Sequence, residues 1–249
     1  ARRHPNLLMI DYCDLEAEGV ARADLNTIHA DALNWRLQGY DHNPWRGAHQ
    51  FKRTIIDRPV DPCSGVVVRY RFTVGDGLPA ACLEGLQVGV ERPWLYQVQL
   101  NGQRVSVEDA PRWFDEDMRA LPVGAHVRRG ENVLALEARP THVLCEIMPV
   151  YLIGDFGLTP AERGFIVDAP ARLALGDWTA QGMPFYPDAV RYDFRFQLAQ
   201  AGRLSLALPE WQGSVAVVRL DGQEVGTIRV PPFELALQGS VASGSHQLS

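Results

Sequence analysis

A chain of 249 residues, 46% hydrophobic and 22% charged, has the composition of a globular protein that can bury a sizeable core. Its length allows one large domain or two ordinary ones. The 24 basic residues against 30 acidic ones leave a net charge of -6, which argues against a nucleic-acid footprint. No apolar run approaches the roughly 18 residues that a membrane-spanning helix needs, so no membrane span is expected.

Residues 6–13, NLLMIDYC, form a short apolar run of strand length. Residues 24–38, DLNTIHADALNWRLQ, place Leu25, Ile28, Ala32 and Trp35 at helical spacing. This predicts a helix with Asp24 as its N-cap and Gly39 as its stop. The following YDHNPWRGAHQFKRTII reads as a loop and an approach strand, with Pro44 blocking helix continuation. From about residue 65 the chain turns strand-rich: GVVVRYRFTV, GLQVGVER, YQVQLNGQRV, ENVLALEARP and PVYLIGDFGL. Turn signals at Gly75-Asp76-Gly77, Asn101-Gly102 and Arg129-Gly130 punctuate these runs. Asn101-Gly102 suits a two-residue type I′ hairpin, in which both central residues need φ > 0. No strand–helix–strand rhythm is present, so the expected class is all-β, an antiparallel sandwich rather than a parallel α/β sheet.

The strand pattern then repeats. RYRFTV (69–74) is echoed by RYDFRFQL (191–198), VQLNGQRV (98–105) by VVRLDGQEV (217–225), and RRGENVLAL (128–136) by ASGSHQLS (242–249). Two copies of one β-rich unit are the simplest account. The expected domains are residues 1–160, with the helical insertion near 24–38, and residues 161–249, with the second copy cut off within its last strand. Pro160–Ala171, with two prolines and little periodicity, marks the expected boundary.

Chemistry-bearing motifs are sparse. Cys13, Cys63, Cys82 and Cys145 are scattered without CxxC spacing, which excludes zinc ribbons and thioredoxin-type motifs but leaves both disulfides and buried thiols open. There is no GxSxG elbow and no GxxxxGK loop. His29, His42 and His49, with Asp31 and Asp41 nearby, match no short metal-ligand spacing. The carboxylates of FDEDM and YCDLEAE are neighbours in sequence, whereas glycosidase chemistry needs two facing each other across a sugar. No catalytic residue is therefore assigned.

The aromatics are more informative. A sugar-binding surface wants a flat ring beside hydrogen-bonding side chains. YDHNPW offers Asp41, His42 and Asn43 beside Trp45; PRWFDED offers Trp113 and Asp115; GDWTAQGMPFY offers Trp178, Gln181 and Tyr186. The ordinary role of each ring is to staple a loop onto the sandwich; as a set they are the candidate carbohydrate-binding residues.

A strand, V-x-LNG, W-x-D and G-x-N-x-L-x-L, carried here by YQVQLNGQRV, PRWFDEDM and RRGENVLALEA, together resemble the galactose-binding-like jelly-roll sandwiches attached to many glycoside hydrolases. The ordered set NLLMIDYCDL, DHNPWRGAHQFK, VERPWLYQVQLNG, PVYLIGDFGL and GDWTAQGMPFYPDAVRYDF resembles the C-terminal region of the large α-L-rhamnosidase-like glycoside hydrolases of family 106. That resemblance implies two tandem jelly rolls, an upstream catalytic domain of the same protein as partner, and an extracellular or periplasmic location. It also implies that a structural Ca2+ is the cofactor to look for, and that Asp115 at the W-x-D position fixes a loop. The expected function is a non-catalytic accessory region that supports the catalytic domain, with carbohydrate as its candidate ligand. The alternatives are a structural or adhesive module that binds a protein, and a chain that is itself a hydrolase.

Overall fold

The computed structural model describes residues 1–47, 53, 55–59 and 61–249. His49 and most of the expected approach strand lie outside the described residues. The chain divides into two compact units, one of Pro5–Pro187 and one of Ala1–His4 with Asp188–Ser249. Both are mostly β, with sheets that are antiparallel but for one strand pair of the first unit.

The first unit opens with β1 (Asn6–Ile10), β2 (Tyr12–Ala17) and β3 (Val20–Asn26), followed by helix α1 (Thr27–Leu37). The helix starts two residues later than the expected cap at Asp24 predicts. Leu25 and Asn26 are held in β3 by pairing with Cys13 and Tyr12 of β2, and Asp24 has φ 62°, so Asn26 becomes the N-cap. Its side chain accepts the Ile28 N–H at 3.0 Å, satisfying one of the donors left free at a helix start.

Then come β4 (Val66–Val74), the single-turn helix α2 (Ala80–Glu84), β5 (Gln87–Glu91), β6 (Gln97–Leu100), β7 (Gln103–Arg104), β8 (Arg112–Trp113) and β9 (Asp115–Pro122). The unit is completed by β10 (Gly130–Ala138), β11 (Val150–Gly154), β12 (Gly157–Pro160) and β13 (Phe165–Asp168). One sheet runs β1-β11-β5-β9-β8; the other runs β12-β13-β4-β10-β6-β7, with β2 on β4 and β3 on β2. All nine residues of β4 pair with β10. One buried cluster draws on both sheets: Leu8, Val88, Leu121 and Leu152 from the first, and Leu15, Val68, Tyr70, Leu100 and Leu134 from the second. The period of two along each strand puts these residues on one face.

The stretch expected to separate two domains lies inside this unit. β12 and β13 form a hairpin closed by Ala161 N–H to Gly164 O at 3.1 Å, and β13 pairs in parallel with β4. Its prolines punctuate a hairpin rather than a linker.

The second unit contains β14 (Phe194–Leu198), β15 (Ser205–Ala207), β16 (Ala216–Leu220), β17 (Gln223–Ile228), β18 (Glu234–Ala236) and β19 (Gly244–Leu248). Its order β14-β19-β16-β17 repeats β4-β10-β6-β7, and its pair β15–β18 repeats β5–β9. Register fixes the equivalence: Leu134 faces Tyr70 and Leu100, and Leu248 faces Phe194 and Leu220. Phe194, not Tyr192, thus takes the place of Tyr70. Because RYDFRF carries aromatics two apart, a two-residue offset keeps the same face and leaves the sequence echo intact.

Each copy carries the same clamp. Asn101 and Gly102 both have positive φ, as do Asp221 and Gly222. Asn101 Oδ1 accepts the Val133 N–H at 3.0 Å, and Asp221 Oδ1 accepts the Gln247 N–H at 2.8 Å. Asn101 Nδ2 donates to Asn132 Oδ1 at 2.8 Å, and Asn132 Nδ2 donates back along the chain to Arg128 O at 2.7 Å. In the second copy His246 replaces Asn132: its Nδ1 meets Asp221 Oδ2 at 2.7 Å and its Nε2 meets Ala242 O at 3.0 Å.

Both ring nitrogens of His246 face acceptors, so the imidazolium is the form that can donate to both. The bonds to Asp221 and then to the Ala242 carbonyl raise its pKa above the usual 6.5. The Asp221 carboxyl is lowered from 3.8, first by the Gln247 N–H and then by His246. The sign follows by linkage. The His246 contribution is fully present below pH 6.5 and is lost as pH rises through the raised value. The Asp221 contribution is present above pH 3.8 and is lost as pH falls through the lowered one. Urea unfolding followed at amides of Asp188–Ser249 is therefore expected to show stability declining as pH rises above 6.5. The double substitution Asp221→Asn and His246→Asn, which recreates the pair of the first copy, is expected to flatten that decline. A slope unchanged by the substitutions would contradict the assignment.

Candidate functional site

The nine residues singled out in the sequence fall into two groups within the first unit. Trp178, Gln181 and Tyr186 belong to one loop, which Asn6 Nδ2 and the Leu158 N–H tie to the sandwich through Gly182 O. The two rings meet edge to face at 6.1 Å, and Gln181 spends its amide on the Ala174 N–H at 2.8 Å and the Asp177 carbonyl at 3.1 Å. Tyr186 is buried. These groups fold the loop, the ordinary role weighed for them.

Asn43, Trp45 and Asp115 belong to one polar network, and Trp113 pairs with Asp115 between β8 and β9. Asn43 is 7% exposed, and its Oδ1 accepts the Trp45 N–H at 2.8 Å. Its Nδ2 donates to Asp31 Oδ2 at 3.0 Å and to Glu146 Oε1 at 2.9 Å. Asp31, buried on α1, takes the Trp35 indole N–H at 2.9 Å and the Ile147 N–H at 3.1 Å on its other oxygen. Burial pushes the Asp31 carboxyl above its ordinary value, with these bonds pulling the other way. The Trp45 indole donates to Val143 O at 2.8 Å. Asp41 and His42 stand exposed beside this turn.

Arg92 carries the network onward. Its backbone sits at φ 44° after β5, and its guanidinium grips Asp117 Oδ2 with Nε at 3.0 Å and Nη2 at 2.8 Å. Nη1 reaches Glu146 at 3.4 Å and Glu91 at 3.6 Å. Asp115 Oδ1 accepts the N–H groups of Asp117 and Met118, each at 2.9 Å, which fixes the turn into β9.

Beside this charge cluster lies an aromatic surface on the outer face of the five-stranded sheet. Gly89 is opposite Tyr151 on β11 and Ala120 on β9, on the face away from Val88, Leu121 and Leu152. The six-membered ring of Trp113 occupies the space a Gly89 side chain would take, with Cζ3 at 2.5 Å from a Cβ built there. Trp113 is half-buried, with Tyr151 tilted 56° at 5.3 Å and Phe114, 87% exposed, at 6.1 Å. Glu91 projects from β5 on this same face. Its carboxyl is raised by desolvation, opposed by Arg92 and reinforced by the charges of Glu146, Asp115 and Asp117. Trp94, half-exposed, lies under Arg119 at 5.0 Å. The arrangement offers a ring face and carboxylate acceptors to a ligand with apolar C–H faces and hydroxyl donors. Tyr151, Phe114, Glu91 and Gly89 were not among the sequence-derived candidates. The one local sign of them is the glycine at the outward position between Val88 and Val90 in QVGVE.

Among the described residues, no group of three or more His, Cys, Asp or Glu side chains is arranged to hold a metal ion. Cys13, Cys63, Cys82 and Cys145 are free thiols, which closes the alternative left open by their spacing. No helix of the described residues is long and apolar enough to cross a membrane.

No family model matches the chain, and no curated protein matches it. Among solved structures it is similar to a β-D-mannosidase from Dictyoglomus thermophilum, with 10% identity and a TM-score of 0.39 over 96% of this chain and 31% of that one. It is also similar to a family 2 β-galacturonidase from Eisenbergiella tayi bound to galacturonate, at 9% identity and TM-score 0.31 over 98% of this chain and 36% of that one. An α-L-rhamnosidase from Streptomyces avermitilis complexed with L-rhamnose matches at 15% identity and TM-score 0.27, over 76% of this chain and 22% of that one. The chain thus spans about a third or less of most of these enzymes.

Asn43→Ala removes the donor shared by two carboxylates and leaves Asp31 Oδ2 and Glu146 Oε1 without that partner. Chemical unfolding of the first unit at neutral pH is expected to show a loss of about 1–3 kcal/mol. Asp41→Ala, in the exposed part of the same turn, is expected to change stability by no more than about 0.5 kcal/mol.

Proposed function

We propose that this chain is a non-catalytic accessory β-sandwich region of a glycoside hydrolase of the α-L-rhamnosidase-like kind. In this reading it supports the catalytic domain of its parent protein and binds carbohydrate on the outer face of β5, β9 and β11. The observation that carries the binding reading is the Trp113 ring seated over Gly89 beside Tyr151, with Glu91 and Asp115 at its edge. The sequence resemblance carries the parentage. A non-catalytic role fits the bonding of the carboxylates: Asp117 and Glu146 are engaged by Arg92, and Asp115 by backbone N–H groups.

Of the nine sequence-derived residues, Trp113 and Asp115 remain as ligand contacts. Asn43 and Trp45 serve as supports behind them, through Glu146 and Arg92. Calorimetric titration of the chain with rhamnose-, galactose- and uronate-containing oligosaccharides is expected to give saturable binding. Trp113→Ala is expected to weaken it by at least tenfold. Gly89→Ala is expected to weaken it too, by driving the ring off its seat, with the unfolding midpoint of the second unit unchanged. Absence of binding to every glycan tested would leave a protein-binding or spacer role for the chain.

A further inference from the structure

The aromatic face on β5, β9 and β11 is unevenly charged. Glu91 stands two residues from Gly89 on β5, and so on the same side of the sheet as the Trp113 ring. Its contact with Arg92 is long, at 3.6 Å, because that guanidinium is turned onto Asp117 at 2.8 Å and 3.0 Å. Among the described residues the Glu91 carboxylate accepts no hydrogen bond, and it remains partly open to solvent. Asp115 spends Oδ1 on the Asp117 and Met118 N–H groups, and its Oδ2 has no partner among the described residues. Two acceptors are thus left over beside the rings.

The neighbouring cations do not balance the acids. Five carboxylates gather here: Glu91, Asp115, Glu116, Asp117 and Glu146. Three arginines answer them, so five negative charges against three positive leave two negative charges in excess. Each guanidinium already has an acceptor within the chain. Arg92 holds Asp117 and reaches Glu146 at 3.4 Å, and Arg112 meets Glu116 at 3.4 Å. Arg119, over the Trp94 ring, donates to Glu116 O at 2.6 Å and Met118 O at 2.8 Å.

The effect of this imbalance is visible on the face's own groups. The Glu91 carboxyl is raised from its ordinary 4.5, first by desolvation and then, against the pull of Arg92, by the charges of Glu146, Asp115 and Asp117. The Tyr151 phenol is raised by desolvation and then by Glu91. A negative charge carried in by a ligand meets the same neighbours with Glu91 added to them. The surroundings are partly desolvated, so salt and water screen the repulsion less than on an open surface. A hydroxyl carried to the same place meets unused acceptors instead.

Resting on the carbohydrate reading of this face, we infer that Glu91 is its specificity-determining residue. The face takes uncharged sugars, whose hydroxyls donate to Glu91 and to Asp115 Oδ2, and turns away uronates, whose carboxylate is brought against Glu91. Discrimination of this kind comes from a like charge set against the competitor rather than from an extra contact to the preferred ligand.

The test is calorimetric titration of the full 249-residue chain with trigalacturonate, with its full methyl ester, and with galactotriose. Esterification keeps the sugars and their linkages and removes the charge. At pH 7 and low salt the uncharged ligands are expected to bind at least tenfold more tightly than trigalacturonate. Salt at about 0.5 M, where the Debye length falls to about 4 Å, is expected to narrow that ratio at least threefold. Glu91→Gln keeps the shape of the side chain, and is expected to narrow the ratio at least threefold at low salt. Affinities that are equal for charged and uncharged ligands, or tighter for trigalacturonate, overturn the inference and leave the carbohydrate reading standing. A loss in Glu91→Gln that is the same for all three ligands also overturns it, because a merely structural residue would act on them alike. Binding of none of the three, with rhamnose-containing oligosaccharides silent as well, overturns the carbohydrate reading and the inference together.

Discussion

The architecture of both units depends on one constraint: a two-residue turn at positive φ whose first side chain is bonded to a neighbouring strand. Asn101 and Asp221 sit where β6 and β16 end, and each bonds a backbone N–H of β10 or β19. Because side chains alternate between faces along a strand, a one-residue slip of β6 against β10 would turn Val98 and Leu100 out of the core and bring Gln97 and Gln99 in. The side-chain bond makes that slip costly, since it would leave a partly buried amide unpaired. β10 then pairs with all of β4, and β4 carries β2 and β13, so the register set at the turn is passed to the whole larger sheet.

The same fold explains why the candidate site is stiff. Five ionisable groups meet where β5, the turn before β9 and the Leu144–Met148 segment converge, and four of them are carboxylates. Such a gathering is tolerated only where positive charge and N–H donors are held in place. Arg92 supplies the charge, Asn43 supplies donors to two carboxylates, and the Asp115 turn supplies backbone N–H groups. The left-handed backbone at Arg92 aims the guanidinium at Asp117 and Glu146 at once. The aromatic surface lies on the outside of the same strands, so any ligand there would meet preorganised acceptors.

What the sequence made legible follows from which interactions are local. The hairpin at Asn101-Gly102, the alternating strands and the duplication are all carried by residues within a few positions of one another. Their periods survive without knowledge of the partner strand. The parallel seat of β13 on β4 is not legible in this way, because Phe165–Asp168 alternates no more strongly than a loop and its partner lies far back in the chain. The start of α1 was misplaced because tertiary pairing of β3 with β2 overrode the helical spacing at Leu25. Asn43 and Trp45 are neighbours in YDHNPW, but their partners Asp31, Glu146 and Val143 come from two other elements. Gly89 and Tyr151 meet Trp113 only through sheet register, which no local pattern contains.

The second unit shows how far the repeat can carry a fold alone. Among its described residues the buried hydrophobics are Val218, Ile228 and Leu237, whereas the first unit buries residues from nearly every strand. A small unit buries a smaller share of its surface, so each remaining polar interaction weighs more in its marginal balance. This gives a physical reason for the clamp's change of chemistry. In the first unit the clamp is a neutral amide pair within a large core. In the second, the same geometry is held by Asp221 and His246, a charge-assisted bond of the stronger kind. The copy with less apolar burial to hold its register thus carries a clamp of two ionisable groups, and with it a dependence on pH that the amide clamp of the first copy lacks.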